Sequence, residues 1–347
     1  MKGLFKYLTP FAPDQSGAVS VLYEFGGLLV ICDAGGCTGN ICGFDEPRWS
    51  TAKSAIFSAG LRDMDAIMGR DELLVDKLSR AAEEIGGNFC AVIGTPVPAV
   101  IATDYAALKK MIEKKLDIPV ITISTTGMHT YERGAETAYL ALVKQFCTEK
   151  LSVEPGRIGV LGANPLDLSD LAAAEKLIDF YQKKYPGASV FCYGMGAGLV
   201  ELKLASSAEK NIVVSPSGRK AAEYLKDCFD TPYEIENPLA LDFLPDTDVA
   251  QKNVLILQQQ VSAHTLRKEL QKRGAANVVA ADFFLQLPEL TEPQDIRLTE
   301  EDECEALLNS DQFDIIIADP VFRKMMGASE AAFVPYPQFS VSGNLSH

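Results

Sequence analysis

Ten residues, DAGGCTGNIC (33–42), hold two cysteines and three glycines just after the apolar run LLVIC. Thiolates in a glycine-rich loop can ligate iron, and backbone N–H groups beside them tune an iron–sulfur cluster by hydrogen bonding to its sulfurs. A cubane takes four ligands, so Cys37 and Cys42 are half a set, and a second copy or a partner chain must supply the rest. Gly35, Gly36 and Gly39 would let the backbone approach such a group closely and expose its amides. The same composition also makes a tight turn around two small residues, and at this level the two readings stand side by side.

Other chemistries find less support. The stretch CYGMGAG sets Gly194, Gly196 and Gly198 between an apolar run and a helical pattern. Its G-x-G-x-G spacing misplaces the third glycine of a dinucleotide fingerprint, and no acidic ribose ligand follows about 20 residues on, so it reads as a glycine-rich turn. No G-x4-G-K-[ST] is present, and the chain is not expected to hydrolyse ATP itself. Neither G-x-S-x-G, H-E-x-x-H nor C-x2-C occurs. Of the histidines 129, 264 and 347, His129 in TTGMHTYERG is the best placed for a ligand, in a loop that follows an apolar run.

The remaining thiols look structural. Cys90 and Cys192 lie in apolar runs, where a thiol behaves as a small hydrophobe, and Cys147, Cys228 and Cys304 sit in helical patterns. Eight irregularly spaced cysteines are not a disulfide framework. A formal charge of −15 argues against nucleic acid or an anionic membrane as partner, because both are bound by clustered Lys and Arg. No stretch reaches the roughly 20 apolar residues of a spanning helix. Pro10, Pro13 and Asp14 interrupt any signal-like apolar stretch near the start. The expectation is a soluble, cytoplasmic protein.

Runs such as LLVICDAG, FCAVIGT, PVITIST, RIGVLGA, SVFCYG, NIVVSP, NVLILQQ, NVVAADF and FDIIIADP are apolar throughout, as strands buried on both faces of a parallel sheet are. Amphipathic stretches ending in Gly or Pro separate them, which defines an α/β class with parallel sheets. Polar stretches at TEKLSVEPGR and DTPYEIENPLALDFLPDTD suggest three Rossmann-like domains, 1–155, 156–246 and 247–347. The loop with Cys37 and Cys42 then lies beyond the carboxyl end of a strand, the edge where such sheets bind ligands.

With these segments in order, the chain resembles the nitrogenase component 1 family: the iron-molybdenum protein subunits, their cofactor-assembly scaffold, and the dark-operative protochlorophyllide and chlorin reductases. PDQSGAV resembles the family segment in which a proline precedes Gly-Ala, and VICDAGGC its strand ending in a Gly-Cys cluster loop. SAGLRDMDAIMGRDELLVDKL, VIGTPVPAVIATDYAAL and IPVITISTTGMHTYERGAETA resemble the segments that follow. The middle third carries RIGVLGANPLDLSDLAAAEKLI and AEKNIVVSPSGRKAAEYLKDCFDTPY; the last carries VLILQQQVSAHTLRKELQKRGA and FVPYPQFSVSGNL. The resemblance implies three Rossmann-like domains with metalloclusters at their interfaces. It also implies electrons from a separate ATP-dependent iron–sulfur reductase.

The departures define what to expect here. Of three family thiols at a subunit interface, Cys37 matches the middle one, while Pro13 and Val97 stand where the others would be. Cys42 is an additional thiol, and Asp14 is a candidate oxygen ligand. Ser215 and Pro337 replace the cysteine and histidine that hold the molybdenum cofactor, so the implied substrate is not dinitrogen. The expected protein is an oxidoreductase subunit in a homodimer, or paired with a paralogue, sharing a [4Fe–4S] cluster between chains. The alternatives are a metallocluster scaffold or carrier, and a small-molecule binding protein that kept the fold without metal.

Overall fold

The computed structural model describes residues 5–51, 53–327 and 329–345; His347 lies outside them. Three parallel sheets follow one another along the chain. The first contains β1 (Leu28–Ile31), β2 (Ala55–Ser58), β3 (Cys90–Ile93) and β4 (Val120–Ile123), in the order β2-β1-β3-β4. The second contains β5 (Glu154–Leu161), β6 (Ser189–Cys192), β7 (Ala208–Val213) and β8 (Tyr233–Ile235), in the order β6-β5-β7-β8. The third runs β11-β10-β9-β12-β13, from β9 (Asn253–Leu257), β10 (Asn277–Asp282), β11 (Ile296–Arg297), β12 (Ile315–Ala318) and β13 (Ala332–Pro335). The α/β class with three Rossmann-like parallel sheets is as expected.

All pairings within the sheets are parallel, and helices link the strands across the faces. In each sheet the strand order reverses once: between β1 and β3, between β5 and β7, and between β9 and β12. The crevice outside the carboxyl ends at such a reversal is where open α/β sheets take ligands. The loops that border the three crevices are 32–46 with 94–101, 162–167 with 214–218, and 258–260 with 319–321.

Two glycines set how the first sheet's crevice is walled. The helix Asp14–Leu22 is buried along its whole length and lies across the helix Tyr131–Phe146. A Cβ on Gly17 would come 1.8 Å from the Tyr131 carbonyl oxygen, and one on Gly134 would come 1.7 Å from that of Asp14. Only hydrogen on both α-carbons permits this approach. Its consequence is that Asp14 meets the loop after β4.

The start of the described chain packs away from its own sheet. The Glu301 carboxylate, at the start of a helix beside the third sheet, accepts the amides of Lys6 (2.5 Å), Tyr7 (2.9 Å) and Leu8 (2.8 Å). Phe11 sits 5.2 Å from Phe283 and 5.1 Å from Phe284 between ring centroids. Residues 5–12 thus strap the first and third sheets together. No helix among the described residues is long and apolar enough to cross a membrane.

Candidate metal centre

Asp33 organises the loop after β1. Its carboxylate is buried and accepts the Thr38 amide (2.8 Å), the Thr38 hydroxyl (3.0 Å) and, from neighbouring β2, the Ser58 hydroxyl (2.6 Å). Gly35 turns the chain at φ +120°, which L-residues rarely adopt, and a short helix Gly36–Asn40 follows. The coil then widens into a π-turn over Ile41–Asp45, closed by the Glu46 amide on the Ile41 carbonyl at 2.9 Å. Cys37 lies in the helix and Cys42 in the wide turn. Both thiols are half-buried and unbonded to another cysteine.

The far end of the loop is anchored by charge. Arg48 is buried and forks onto Glu46 at 2.8 Å through Nε and through Nη2, while Nη1 reaches Glu24 at 3.2 Å. The same guidinium donates to the Ser20 carbonyl (2.6 Å) and, from the second sheet, to the Gly194 carbonyl (2.8 Å). Asp45 accepts from Ser16 (2.6 Å) and Asn40 (2.7 Å). The loop is therefore held at both ends and free along its outer face: a Cβ on Gly35, Gly36, Gly39 or Gly43 would meet nothing within 4 Å.

Across the crevice, the Thr95 hydroxyl donates to the Cys32 carbonyl at 2.6 Å, stitching the loop after β3 to the loop after β1. Cys32 itself is buried, and burial first, then Asp33, pushes its thiol up to about 12. Burial raises Cys37 as well, helped by Asp33 and opposed by a hydrogen bond from Thr95. Cys42 is raised by burial, then Glu46, then Asp33. Metal binding at these thiols would release protons, since the ligand is the thiolate. Exposed apolar side chains occur in this loop and in the loops after β3 and β4: Phe44 (75% exposed), Val97, Val100 (85%), Ile101 and Met128 (81%).

Asp14, expected as an oxygen ligand, spends both oxygens on the loop after β4. It accepts the amides of Thr126 (3.0 Å) and Gly127 (2.7 Å), and its own amide donates to the His129 carbonyl (2.9 Å). His129 is exposed in that loop and lines a cleft shared with the third sheet. Ser215 lies in the second sheet's crevice, fully buried, with its hydroxyl on the Gly162 carbonyl (2.8 Å) and on Ser217 (2.7 Å). The network continues through Asp167, which accepts from Ser217 (3.2 Å), Asn164 (2.6 Å) and Tyr131 (2.7 Å), to Gln338 beside Pro337 at 3.4 Å from the Tyr131 hydroxyl. The space between Ser215 and Pro337 is thus filled by protein, with a void of about 10 Å³ beside Gln338.

Among the described residues no group of three or more His, Cys, Asp or Glu is placed to hold a metal ion. A single chain therefore offers two thiols, half of what a cubane takes, and the donor chemistry fits only if a second chain brings two more. Of the thiols expected to be structural, Cys90, Cys147, Cys192 and Cys304 are buried, but Cys228 is exposed at the outer face of its helix. The glycines of CYGMGAG form a packed turn: Gly194 has φ +97°, and a Cβ there would sit 2.4 Å from the Tyr139 hydroxyl. Sequence reasoning missed Asp33 and Arg48. An acidic residue ending an apolar run, with a hydroxyl residue five positions on, was the available signal for Asp33.

Three parallel sheets, each with a crevice at its strand-order reversal, and a Gly-Cys loop at the first of them define an α/β protein of the nitrogenase component 1 fold. The chain belongs to the nitrogenase component 1 type oxidoreductase family, whose profile matches residues 15–244. It is similar in fold to the solved structure "Nitrogenase Cp1 at pH 6.5", with a TM-score of 0.72 and 12% identity, covering 97% of this chain and 87% of that one. A second, "Nitrogenase Cp1 at pH 5", gives 0.67 and 14%, covering 92% of this chain and 81% of that one. No curated protein matches the sequence.

Proposed function

We propose that this chain is a subunit of a nitrogenase-like oxidoreductase that holds an iron–sulfur cluster between two chains, with Cys37 and Cys42 as its ligands. The observation that carries the reading is two partly accessible thiols in the loop at the first sheet's crevice, with Phe44 exposed in that loop and Val97, Val100 and Ile101 exposed in the loop on the crevice's other side. Exposed apolar side chains on one edge mark an interaction surface. Burying that edge against a second copy would bring four thiolates together, the number a [4Fe–4S] cluster takes, and shield them from water.

Such a cluster would supply one-electron transfer. In this reading the chain's own residues supply the frame: Asp33 and Thr95 hold the Cys37 turn, Arg48 and Asp45 hold the Cys42 turn, and Asp14 fixes the adjoining wall. The outer face at Gly35 and Gly36 is open to a close approach by the cluster, while the Gly39 amide is spent on the Gly35 carbonyl at 3.0 Å. Electrons would come from a separate ATP-dependent iron–sulfur reductase, in keeping with the missing phosphate loop. The substrate is one other than dinitrogen, because Ser215 and Pro337 are not ligands for the molybdenum cofactor and their neighbourhood is closed by the Asp167 network.

That closed network also favours a second reading, a scaffold or carrier that holds a cluster and hands it on without a substrate site of its own. Anaerobic reconstitution with iron and sulfide, followed by metal analysis and EPR, tests both. One cluster per dimer is expected; a metal-free dimer under strict anoxia would refute both. Transfer of iron to an apo-acceptor without reductase-dependent turnover would select the carrier.

A further inference from the structure

Between the loop after β4 and the loop after β10 lies a cleft of about 480 Å³, whose lining includes neither Cys37 nor Cys42. Glu132 lines it while only 2% exposed. Its Oε1 accepts the Thr130 hydroxyl at 2.6 Å; its Oε2 is buried with no partner among the described residues. Buried carboxylate oxygens are nearly always satisfied, so an open one at a cleft wall signals a missing donor. A neighbouring acid differs. Asp282 lines the adjacent small void, not this cleft, and is matched by Arg297 at 3.1 Å, with the Phe284 amide (3.1 Å) and Gln286 (3.3 Å) on the same oxygen.

We propose that this cleft binds a small molecule through a primary ammonium group that donates to Glu132, with its carbon skeleton along the wall of Phe283, Phe284 and Leu285. Charge selects a cation. Both arginines of the lining are committed to carboxylates outside it, Arg297 to Asp282 at 3.1 Å and Arg133 to Glu136 at 3.9 Å, and Glu132 is the acid that lines the cleft. An anion would leave Glu132 as it stands; one ammonium both neutralises it and fills its open lone pairs. Burial is also the main reason that the Glu132 and Asp282 carboxyls are pushed up to about 7; nearby Asp167 adds to the rise at Glu132, and Glu132 to that at Asp282. The cleft volume is in the range of small-molecule sites. The inference is independent of the cluster reading, since no residue in it touches Cys37 or Cys42.

Calorimetry and thermal shift on the full chain at pH 8 test it, with n-butylamine, putrescine and phenethylamine as probes and butyrate as the anionic control. At least one amine is expected to bind in the millimolar range or tighter and butyrate is not. Glu132→Gln, which keeps the side-chain shape, should weaken amine binding roughly tenfold or more, the loss of one charge-assisted hydrogen bond. Arg297→Gln removes the competing cation and should leave amine affinity equal or stronger, whereas general damage to the cleft would weaken it in both variants. The proposal is overturned if no amine binds, if butyrate binds as well as the amines, or if Glu132→Gln binds amines as tightly as the native chain.

Discussion

One oxygen of Asp33 lies 2.8 Å from the amide nitrogen of Thr38, so a carboxylate at the end of β1 holds the turn that carries Cys37. The other oxygen takes the Ser58 hydroxyl of β2 at 2.6 Å, which fixes the turn to the sheet. Removing a buried acceptor of this kind costs about 1–3 kcal/mol, most of it in the donors left behind. Asp33→Ala should therefore loosen the turn locally. Labelling of Cys37 by an aromatic disulfide is expected to speed up by roughly 5–100-fold at unchanged far-UV circular dichroism; equal rates would show that Asp33 does not hold the turn.

Cys37→Ser and Cys42→Ser should each lose most of the iron bound after reconstitution, and the double variant all of it. Cys228→Ser, an exposed thiol far from the loop in sequence, should retain the native iron content. Iron retained by the double variant would remove these residues from the ligand set.

Val100 is 85% exposed in the single chain, so Val100→Asp should fold normally. At a dimer interface the same charge would meet apolar side chains. A dimer weakened by about tenfold or more, with cluster yield falling in parallel, is the expected result in sedimentation and iron analysis. An unchanged dimer would place the interface elsewhere.

Gly17→Ala would put a methyl group 1.8 Å from the Tyr131 carbonyl, against backbone that cannot yield. Overpacking of this severity costs on the order of 3 kcal/mol, and the melting temperature should fall by roughly 5–10 °C. Because the crossing also seats Asp14 against Thr126 and Gly127, protection of those amides from exchange should fall with it.

Glu132 has a carboxyl pushed from 4.5 to about 7, by burial above all, so the folded chain keeps its proton where the unfolded chain has lost it. The sign follows: between about pH 4.5 and 7 the folded state binds more protons, and its stability falls as pH rises. Glu132→Gln should flatten this slope and be the more stable protein at pH 8, by about 2–3 kcal/mol. Denaturant titrations at pH 5 and pH 8 check it; a native slope in the variant would assign the dependence to other groups, Asp282 first.

The nine apolar runs read from the sequence all became strands, and they include every strand flanked on both sides. The strands that escaped notice, β2, β8, β11 and β13, are all at sheet edges and only partly buried. A strand covered on both faces must be apolar at every position, and that run is visible; an edge strand is relieved of the constraint, so its residues carry no comparable pattern. The Gly-Cys loop was legible for the same reason, because it follows such a run.

What holds that loop was not. Arg48 reaches Gly194 across 146 positions, and Tyr131 meets Asp167 across 36. A carboxylate or guanidinium that will be buried looks in sequence like one that will be solvated, since its partners come from other sheets. By itself the sequence determined three parallel sheets and a thiol pair at a strand end, because burial on two faces and backbone freedom are local demands on residue type. Only the tertiary structure decided that Asp14 clamps a loop, that Ser215 is closed into a polar network, and that Glu132 faces a cleft with an oxygen to spare, because each depends on which distant donors the packed sheets bring within about 3 Å.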